Sequence, residues 1–245
     1  MELGSTWDVE SYERGRPPYP AEAIDLLVSK LGVDPTATIL DLGAGNGRLT
    51  RALVGRFARV IAVEPHAEMR ARIAVGAPQA QVLDGAAEAI PLAAESVDAV
   101  LVGSAFHWFD QSRAVPEIAR VLRPRGGLGI MASRWARDMS AWATQVDQVL
   151  SRHGSDPAAG WRDRFAAMTE FEPLAEAVLI ADQESNRAGV LARVASISFI
   201  TALPEPERRQ VLGEVEQILD THPQTRTAEM LETPHRIEVS WTHKR

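Results

Sequence analysis

One stretch of the sequence combines residue types and spacing that are typical of ligand binding. Residues 41–47 read Asp-Leu-Gly-Ala-Gly-Asn-Gly and directly follow a short apolar run, residues 38–42, that has the pattern of a buried strand. Glycine permits positive φ and lets the main chain approach a ligand closely. Because glycines also form ordinary turns, this loop alone leaves nucleotide binding and a plain turn about equally open.

An acidic residue further along the chain favours a nucleoside-like ligand. Glu64 follows the apolar run from Val60 to Val63 and is suited to accept hydrogen bonds from ribose hydroxyls. The spacing G-x-G-x-G, preceded by Asp41, differs from the G-x-G-x-x-G of dinucleotide folds. A carboxylate is unfavourable beside a pyrophosphate but compatible with a ligand that carries an ammonium and a sulfonium group. The pattern therefore favours such a ligand over a nicotinamide dinucleotide.

These residues must be positioned by strands that alternate with helices. Apolar runs predict strands at residues 38–42, 59–64, 81–83, 97–103 and 127–132. Amphipathic segments lie between them. Strands alternating with helices predict an α/β fold, a doubly wound and mostly parallel sheet with helices on both faces. Ligands of such sheets bind beyond the carboxyl ends of the strands.

The pattern changes beyond residue 135. Helices are predicted around residues 142–150, 190–197 and 211–219, and extended segments at 175–182 and 236–241, the last alternating like an edge strand. We predict one domain over residues 1–245. In it, residues 1–20 cover the ligand, residues 21–135 form the binding core, and residues 136–245 supply lid helices and the final strands.

Composition and charge argue against several classes of protein. Hydrophobic residues make up 45% and charged residues 24% of the chain, and the net charge is −7, without the basic face typical of nucleic-acid binding. No apolar run approaches the roughly 20 residues that cross a bilayer, and no secretory signal is recognisable. Without cysteine there is no disulfide and no thiolate metal site. The sequence predicts a cytoplasmic protein that binds neither nucleic acid nor membrane.

Five motifs in order resemble the class I S-adenosylmethionine (SAM) dependent methyltransferases, in particular the group with a methyltransferase type 11 domain. They are residues 41–47, Glu64, residues 85–92, residues 96–100 and residues 122–127. Two outer segments, residues 12–20 and 105–109, resemble a subgroup that includes trans-aconitate methyltransferase-like proteins. The resemblance implies a Rossmann-like, seven-stranded sheet, SAM as cofactor, and a small-molecule methyl acceptor for a monomer or homodimer.

The resemblance also implies which residues hold the cofactor. They are Asp41, Gly43, Ala44, Gly45, Asn46, Gly47, Glu64, Pro65, Gly85, Ala86, Ala87, Glu88 and Ser104. Within this set, Glu64 would bind the ribose and residues 85–88 would enclose the adenine. The family often has Asp where this chain has Ala86, so the adenine amino group must find its partner on the backbone or on another side chain.

Candidates on the acceptor side are fewer. Methyl transfer from a sulfonium depends mainly on alignment, and a base is needed only when the acceptor carries a proton at attack. His107 is the candidate base because imidazole titrates near neutral pH, and its alternative role is to hold its loop. The candidate substrate contacts are Tyr12, Arg16, Tyr19, His107 and Trp108, and Arg16 is suited to a carboxylate. No cluster of His, Asp and Glu indicates a metal.

Two other functions stay open on the sequence. A non-catalytic protein would keep the glycine loop and Glu64 and bind SAM without transferring its methyl group. A nicotinamide-dependent oxidoreductase is disfavoured by the tight glycine spacing and by Asp41. Oxygen, nitrogen and carbon acceptors are all compatible with these residues.

Overall fold

The computed structural model describes residues 18–154 and 160–245, and nine strands lie within them. The strands are β1 (Thr38–Leu42), β2 (Arg59–Val63), β3 (Gln81–Leu83), β4 (Val97–Gly103), β5 (Leu122–Trp135), β6 (Ala175–Ala181), β7 (Glu184–Ser185), β8 (Leu231–Glu232) and β9 (His235–His243). Seven of them form one sheet in the order β3-β2-β1-β4-β5-β9-β6, and β7 pairs with β8 separately. This is the Rossmann-like α/β sheet that the sequence predicts.

The described helices connect these strands in sequence. They are α1 (Ala21–Leu31), α2 (Arg48–Leu53), α3 (Ala67–Gly76), α4 (Gln111–Val121), α5 (Ala141–Ser151), α6 (Trp161–Ala166), α7 (Arg187–Ala195), α8 (Ser198–Thr201) and α9 (Glu205–Thr221), with 3₁₀ turns at Phe106–Trp108 and Arg137–Met139. Helix α4 begins at an N-cap, Asp110, whose carboxylate accepts the backbone N–H of Ser112. Its apolar positions then follow at helical spacing and are buried, which fixes one face of α4 in the core.

Strands β1 to β5 create the edge at which the candidate site lies. The pairs β1–β2, β2–β3, β1–β4 and β4–β5 are all parallel. Strands β1 and β2 are buried along nearly their whole length, as expected for parallel strands covered on both faces. Because β1 lies between β2 and β4, the strand order reverses there, and such a switch point opens a ligand crevice at the carboxyl ends of the strands.

Most predicted strands agree with the structure, and one prediction about them is wrong. Strands β1 and β4 have the predicted bounds, whereas β5 extends beyond residues 127–132 at both ends. The C-terminal strand β9 is not an edge strand, because it lies between β5 and β6, and β6 forms that edge. The alternation of polar and apolar residues along β9 shows that one of its faces is partly exposed. It does not indicate whether neighbouring strands are hydrogen-bonded to both edges of β9.

The described residues group into two compact units. One contains residues 18–133, 160–179 and 237–245, and the other contains residues 134–154 and 180–236. The core of the first includes Leu40, Val100 and Ile118, and the core of the second includes Trp142 and Val215. The single-domain organisation with lid helices stays a prediction. In the described parts of the chain, no helix has both the length and the apolar character needed to span a membrane.

Candidate active site

The glycine loop folds back over the end of β2. The backbone N–H groups of Gly43 and Ala44 both donate to the carbonyl of Val63, at 2.9 and 3.1 Å, and the N–H of Gly47 donates to the carbonyl of Ala44 at 2.9 Å. A Cβ on Gly43 would lie 3.0 Å from the Ala105 Cβ and 3.1 Å from the Phe109 ring. The loop is therefore held between the ends of β2 and β4.

Gly45 is the point at which this loop leaves room for a ligand. Its φ is +56°, and a Cβ built on it would meet no heavy atom of the described residues within 4 Å. Its backbone N–H donates to Glu64 Oε2 at 2.9 Å. The main chain at Gly45 thus borders open space while it is tied to the acidic residue. A side chain here would enter the space that the predicted cofactor needs.

Glu64 is held rigidly at the carboxyl end of β2. Its Oε2 accepts the Gly45 N–H, and its Oε1 accepts the His66 N–H at 3.0 Å. The residue is buried. Each carboxylate oxygen can accept a further hydrogen bond, so the group retains the capacity to bind hydroxyls. His66 is the N-cap residue of α3, and hydrogen bonding of Glu64 to ribose stays a prediction.

Asp41 is a buried carboxyl whose hydrogen-bonding capacity is only half used. Its Oδ2 accepts the Thr50 hydroxyl at 2.6 Å, whereas its Oδ1 has no partner among the described residues. Burial raises the pKa of Asp41 to about 7, the Thr50 hydrogen bond opposes this rise, and the charge of Glu64 adds to it. An orphaned buried acceptor is costly. A ligand that brings a hydrogen-bond donor or a positive charge to this edge therefore fits Asp41.

The loop after β3 is packed into place from both sides. A Cβ on Gly85 would lie 2.6 Å from Pro91 Cδ, so only glycine allows this fold of the loop. Ala87 is buried, and Ala86 forms an isolated bridge with Ala89. Glu88 Oε1 accepts the backbone N–H of Asp110 at 2.8 Å, which ties the loop to the start of α4.

Arg70, on α3, is a residue of this region that the sequence analysis missed. Its guanidinium contacts the carbonyls of Glu64 and Pro65 and the carboxylate of Asp84, next to Gly85. Arg70 is one of two arginines in a helix with little amphipathic pattern, so no signal in the sequence separates it from an ordinary surface charge. Only the fold brings its side chain back to the ends of β2 and β3.

Ser104 and Tyr19 meet where β4 ends. The Tyr19 hydroxyl donates to Ser104 Oγ at 2.9 Å, and Ser104 has a positive φ of 56°. Tyr19 is buried, and the Arg48 guanidinium lies 5.6 Å from the centroid of its ring. This packing positions Tyr19 beside the glycine loop and β4. Its predicted contact with the substrate stays a prediction.

His107 and Trp108 belong to the 3₁₀ turn that follows β4. Their ring centroids are 4.9 Å apart, and Trp108 is 44% exposed. The neighbouring Phe106 is buried and anchors the turn, with its ring centroid 5.0 Å from that of Trp161. The turn thus holds His107 near the carboxyl edge of the sheet.

Other predicted features lie outside this set of contacts. Tyr12 and Arg16 fall outside the described residues. Among the residues that the structure does describe, no group of three or more His, Asp or Glu side chains is arranged to hold a metal ion. Residues Asn46 and Pro65 lie within the segments just described, next to Gly45 and Glu64.

Comparison with known proteins agrees with this geometry. A family described as "Methyltransferase domain" matches residues 40–130. An uncharacterized methyltransferase of Mycobacterium tuberculosis is 40% identical over 238 residues, which cover 96% of this chain and 93% of that protein. A trans-aconitate 2-methyltransferase of Azoarcus is 31% identical over 180 residues, 72% of this chain and 66% of that enzyme.

A solved structure shows the same fold. A candidate type II methyltransferase from Anaeromyxobacter dehalogenans superposes with a TM-score of 0.68 at 24% sequence identity. The match covers 93% of this chain and 96% of that chain. At this identity the likeness concerns the fold alone.

Proposed function

The chain belongs to the class I SAM-dependent methyltransferases, and on that premise we propose that it transfers the methyl group of SAM to a small-molecule acceptor. The observation that carries this proposal is the open space beside Gly45, bordered by the fixed carboxylate of Glu64. The orphaned Oδ1 of Asp41 supports it, because a cationic ligand would satisfy that atom.

The main task of the protein in this reaction is to align the acceptor with the methyl donor, since the methyl group needs little further activation. When bound, SAM supplies a methyl group that its sulfonium already activates for in-line displacement. In this proposal Glu64 and Gly45 hold the ribose, and residues 85–88 enclose the adenine. Fixing the donor in this way supplies the proximity and orientation that accelerate the displacement.

His107 is proposed as the base for acceptors that carry a proton at attack. It stands in the turn directly after β4, near the end of the strand that borders the switch point. An imidazole can take a proton near neutral pH. A carboxylate acceptor would need no base, so the contribution of His107 depends on the acceptor class.

Two observations favour a small acceptor over a macromolecule. The net charge is −7, which disfavours a polyanionic substrate. The Azoarcus relative is named for a small acid, trans-aconitate. The acceptor proposed here is therefore a small molecule with an oxygen, nitrogen or carbon nucleophile, and acidic and phenolic metabolites are the first to screen.

The first experiment is a calorimetric titration of the purified protein with SAM, S-adenosylhomocysteine and NADH in parallel. We expect both adenosyl ligands to bind and NADH not to bind. A turnover screen with labelled SAM then follows. Binding of NADH alone would overturn the cofactor assignment, and adenosyl binding with no turnover on any small acceptor would favour a non-catalytic SAM-binding protein.

The His107 assignment has its own test. With a phenol or amine acceptor, His107→Gln is expected to lower kcat and leave the affinity for S-adenosylhomocysteine unchanged, because the base acts only on the acceptor. A rate equal to that of the wild type across the pH range would reduce His107 to a residue that supports its loop.

A further inference from the structure

We propose that Arg70 is a positioning residue that sets the affinity of this protein for the adenosine half of its cofactor, an inference that rests on the cofactor site proposed above. Arg70 lies on α3 and does not belong to the glycine loop or to the loop after β3. It acts through the main chain of Glu64 and through Asp84. Its role is to fix the ends of β2 and β3 relative to each other.

The contacts of Arg70 join two strand ends with one rigid group. Its Nη1 donates to the carbonyl of Glu64 at 3.0 Å, to the carbonyl of Pro65 at 2.7 Å and to Asp84 Oδ1 at 3.1 Å. Its Nη2 donates to Asp84 Oδ2 at 3.0 Å. A planar guanidinium can donate two parallel hydrogen bonds to one carboxylate, as it does here to Asp84. It still has N–H groups that can donate to the two backbone carbonyls.

These two strand ends carry the groups that would recognise the nucleoside. Glu64 presents its carboxylate at the end of β2, and Asp84 directly precedes Gly85, where the loop after β3 begins. The backbone N–H of Glu64 also donates to the carbonyl of Leu83, at 3.2 Å. The Arg70 side chain therefore joins the same two strand ends that this backbone hydrogen bond connects. A shift of the end of β2 or of β3 would change the spacing between the proposed ribose and adenine contacts.

The charge balance also favours a positioning role. Arg70 neutralises Asp84, the carboxylate next to Gly85, while it leaves both carboxylate oxygens of Glu64 as acceptors. The Arg70 side chain is 21% exposed and that of Asp84 is 72% exposed. Because the Asp84 carboxylate is so exposed, its ion pair with Arg70 contributes little to folding. Loss of this ion pair is therefore expected to change the affinity for the ligand more than the global stability of the protein.

The test compares Arg70→Ala, Arg70→Lys and Asp84→Asn with the wild type. The ligands are S-adenosylhomocysteine and 5′-methylthioadenosine, which share the adenosine half and differ in the amino-acid half. Arg56→Ala is the matched control, because Arg56 pairs with Asp25 in the same unit, away from the glycine loop. Thermal unfolding without ligand is measured for every variant.

We expect Arg70→Ala to weaken both ligands by the same factor, about tenfold, as for the loss of one charge-assisted hydrogen-bonded contact. Arg70→Lys is expected to recover part of the affinity, since an ammonium group can hold one strand end but cannot span both. Asp84→Asn should weaken both ligands in the same direction, and Arg56→Ala should leave both dissociation constants unchanged.

Two results would overturn the proposal. One is a loss of thermal stability in Arg70→Ala with unchanged dissociation constants for both ligands. The other is a loss of affinity for S-adenosylhomocysteine with an unchanged affinity for 5′-methylthioadenosine. If Arg70→Ala does not fold, Asp84→Asn decides, because its exposed carboxylate can be replaced without disturbing the core. Wild-type protein that binds neither ligand would instead overturn the proposed function itself, so the two failures are distinguishable.

Discussion

At the scale of single residues, the candidate site depends on groups whose hydrogen-bonding capacity the chain leaves partly open. Gly45 borders open space, Glu64 keeps an acceptor direction on each oxygen, and Asp41 Oδ1 has no partner among the described residues. The sequence predicts all three, because glycine spacing and an acid after a strand are local patterns. It misses Arg70, whose contacts depend on the return of α3 to the strand ends.

Gly45 allows a test with a control that the chain itself supplies. Gly45 and Gly55 both have positive φ, +56° and +83°, and a Cβ on either would meet no atom of residues 18–154 or 160–245 within 4 Å. Alanine at either position should therefore cost a similar backbone strain of about 1–2 kcal/mol. We expect Gly45→Ala to lower the affinity for S-adenosylhomocysteine by about tenfold or more, because the added methyl group would enter the space of the ligand. Gly55→Ala should leave this affinity unchanged.

Calorimetry for affinity and urea unfolding for stability would measure both effects in the two alanine variants. If the two variants bind equally well while both lose stability, the ligand does not approach Gly45, and the glycine loop must be reassigned as a plain turn.

Asp41 predicts a pH dependence of stability in the ligand-free protein. Burial raises its folded-state pKa from 3.8 to about 7. Between these values the unfolded chain has lost the proton that the folded protein retains, so the free energy of unfolding decreases as the pH rises through this window and levels off above it. One pKa unit corresponds to about 1.4 kcal/mol, so the effect is on the order of a few kcal/mol.

The variant Asp41→Asn removes this titration and keeps an oxygen that can accept the Thr50 hydroxyl. We therefore expect Asp41→Asn to gain stability relative to the wild type on going from about pH 4 to about pH 8, measured by urea unfolding without ligand. A difference between the two proteins that stays constant over this range would show that Asp41 has an ordinary pKa.

At the scale of elements, helix α4 fixes the loop after β3. Glu117 Oε2 accepts the Ile90 N–H at 2.9 Å, and Arg120 donates to the carbonyls of Leu92 and Ile90 at 2.8 and 2.9 Å. The sequence predicts α4 and the preceding strand, because burial imposes regular apolar spacing on both. It does not predict which polar residues of α4 hold the loop, since Glu117 and Arg120 also fit an ordinary exposed i,i+3 pair.

Arg120→Ala is expected to release the loop end, because the Leu92 carbonyl loses the guanidinium donor and the Ile90 carbonyl keeps only the Leu92 N–H. The expected cost is about 1–2 kcal/mol of stability, with an affinity for S-adenosylhomocysteine that falls several-fold. Arg113→Ala, an exposed position on the same helix, serves as the control and should change neither quantity. Equal affinities in the two variants would mean that the loop keeps its conformation without Arg120.

At the scale of the whole molecule, the strand topology positions the candidate site, and the net charge determines which class of acceptor can approach it. The parallel pairing of β1 to β5 follows from alternating strand and helix patterns, and so the sequence predicts it, whereas the order β3-β2-β1-β4-β5 is known from the structure. The position of β9 inside the sheet could not be read from the sequence, because strand pairing at long range leaves no local pattern. The division into two compact units likewise depends on contacts between distant segments.

The net charge leads to the last prediction, which concerns the class of acceptor. With 33 acidic and 26 basic residues, the chain carries no overall charge that would attract a phosphate backbone. We expect neither duplex DNA nor transfer RNA to bind measurably in about 0.15 M salt, or to accept a labelled methyl group from SAM. Small acids and phenols tested in the same assay should include the acceptor. Salt-sensitive binding of a nucleic acid, together with its methylation, would contradict the proposed small-molecule acceptor. It would leave the assignment of SAM intact, because the transferred methyl group would still come from SAM.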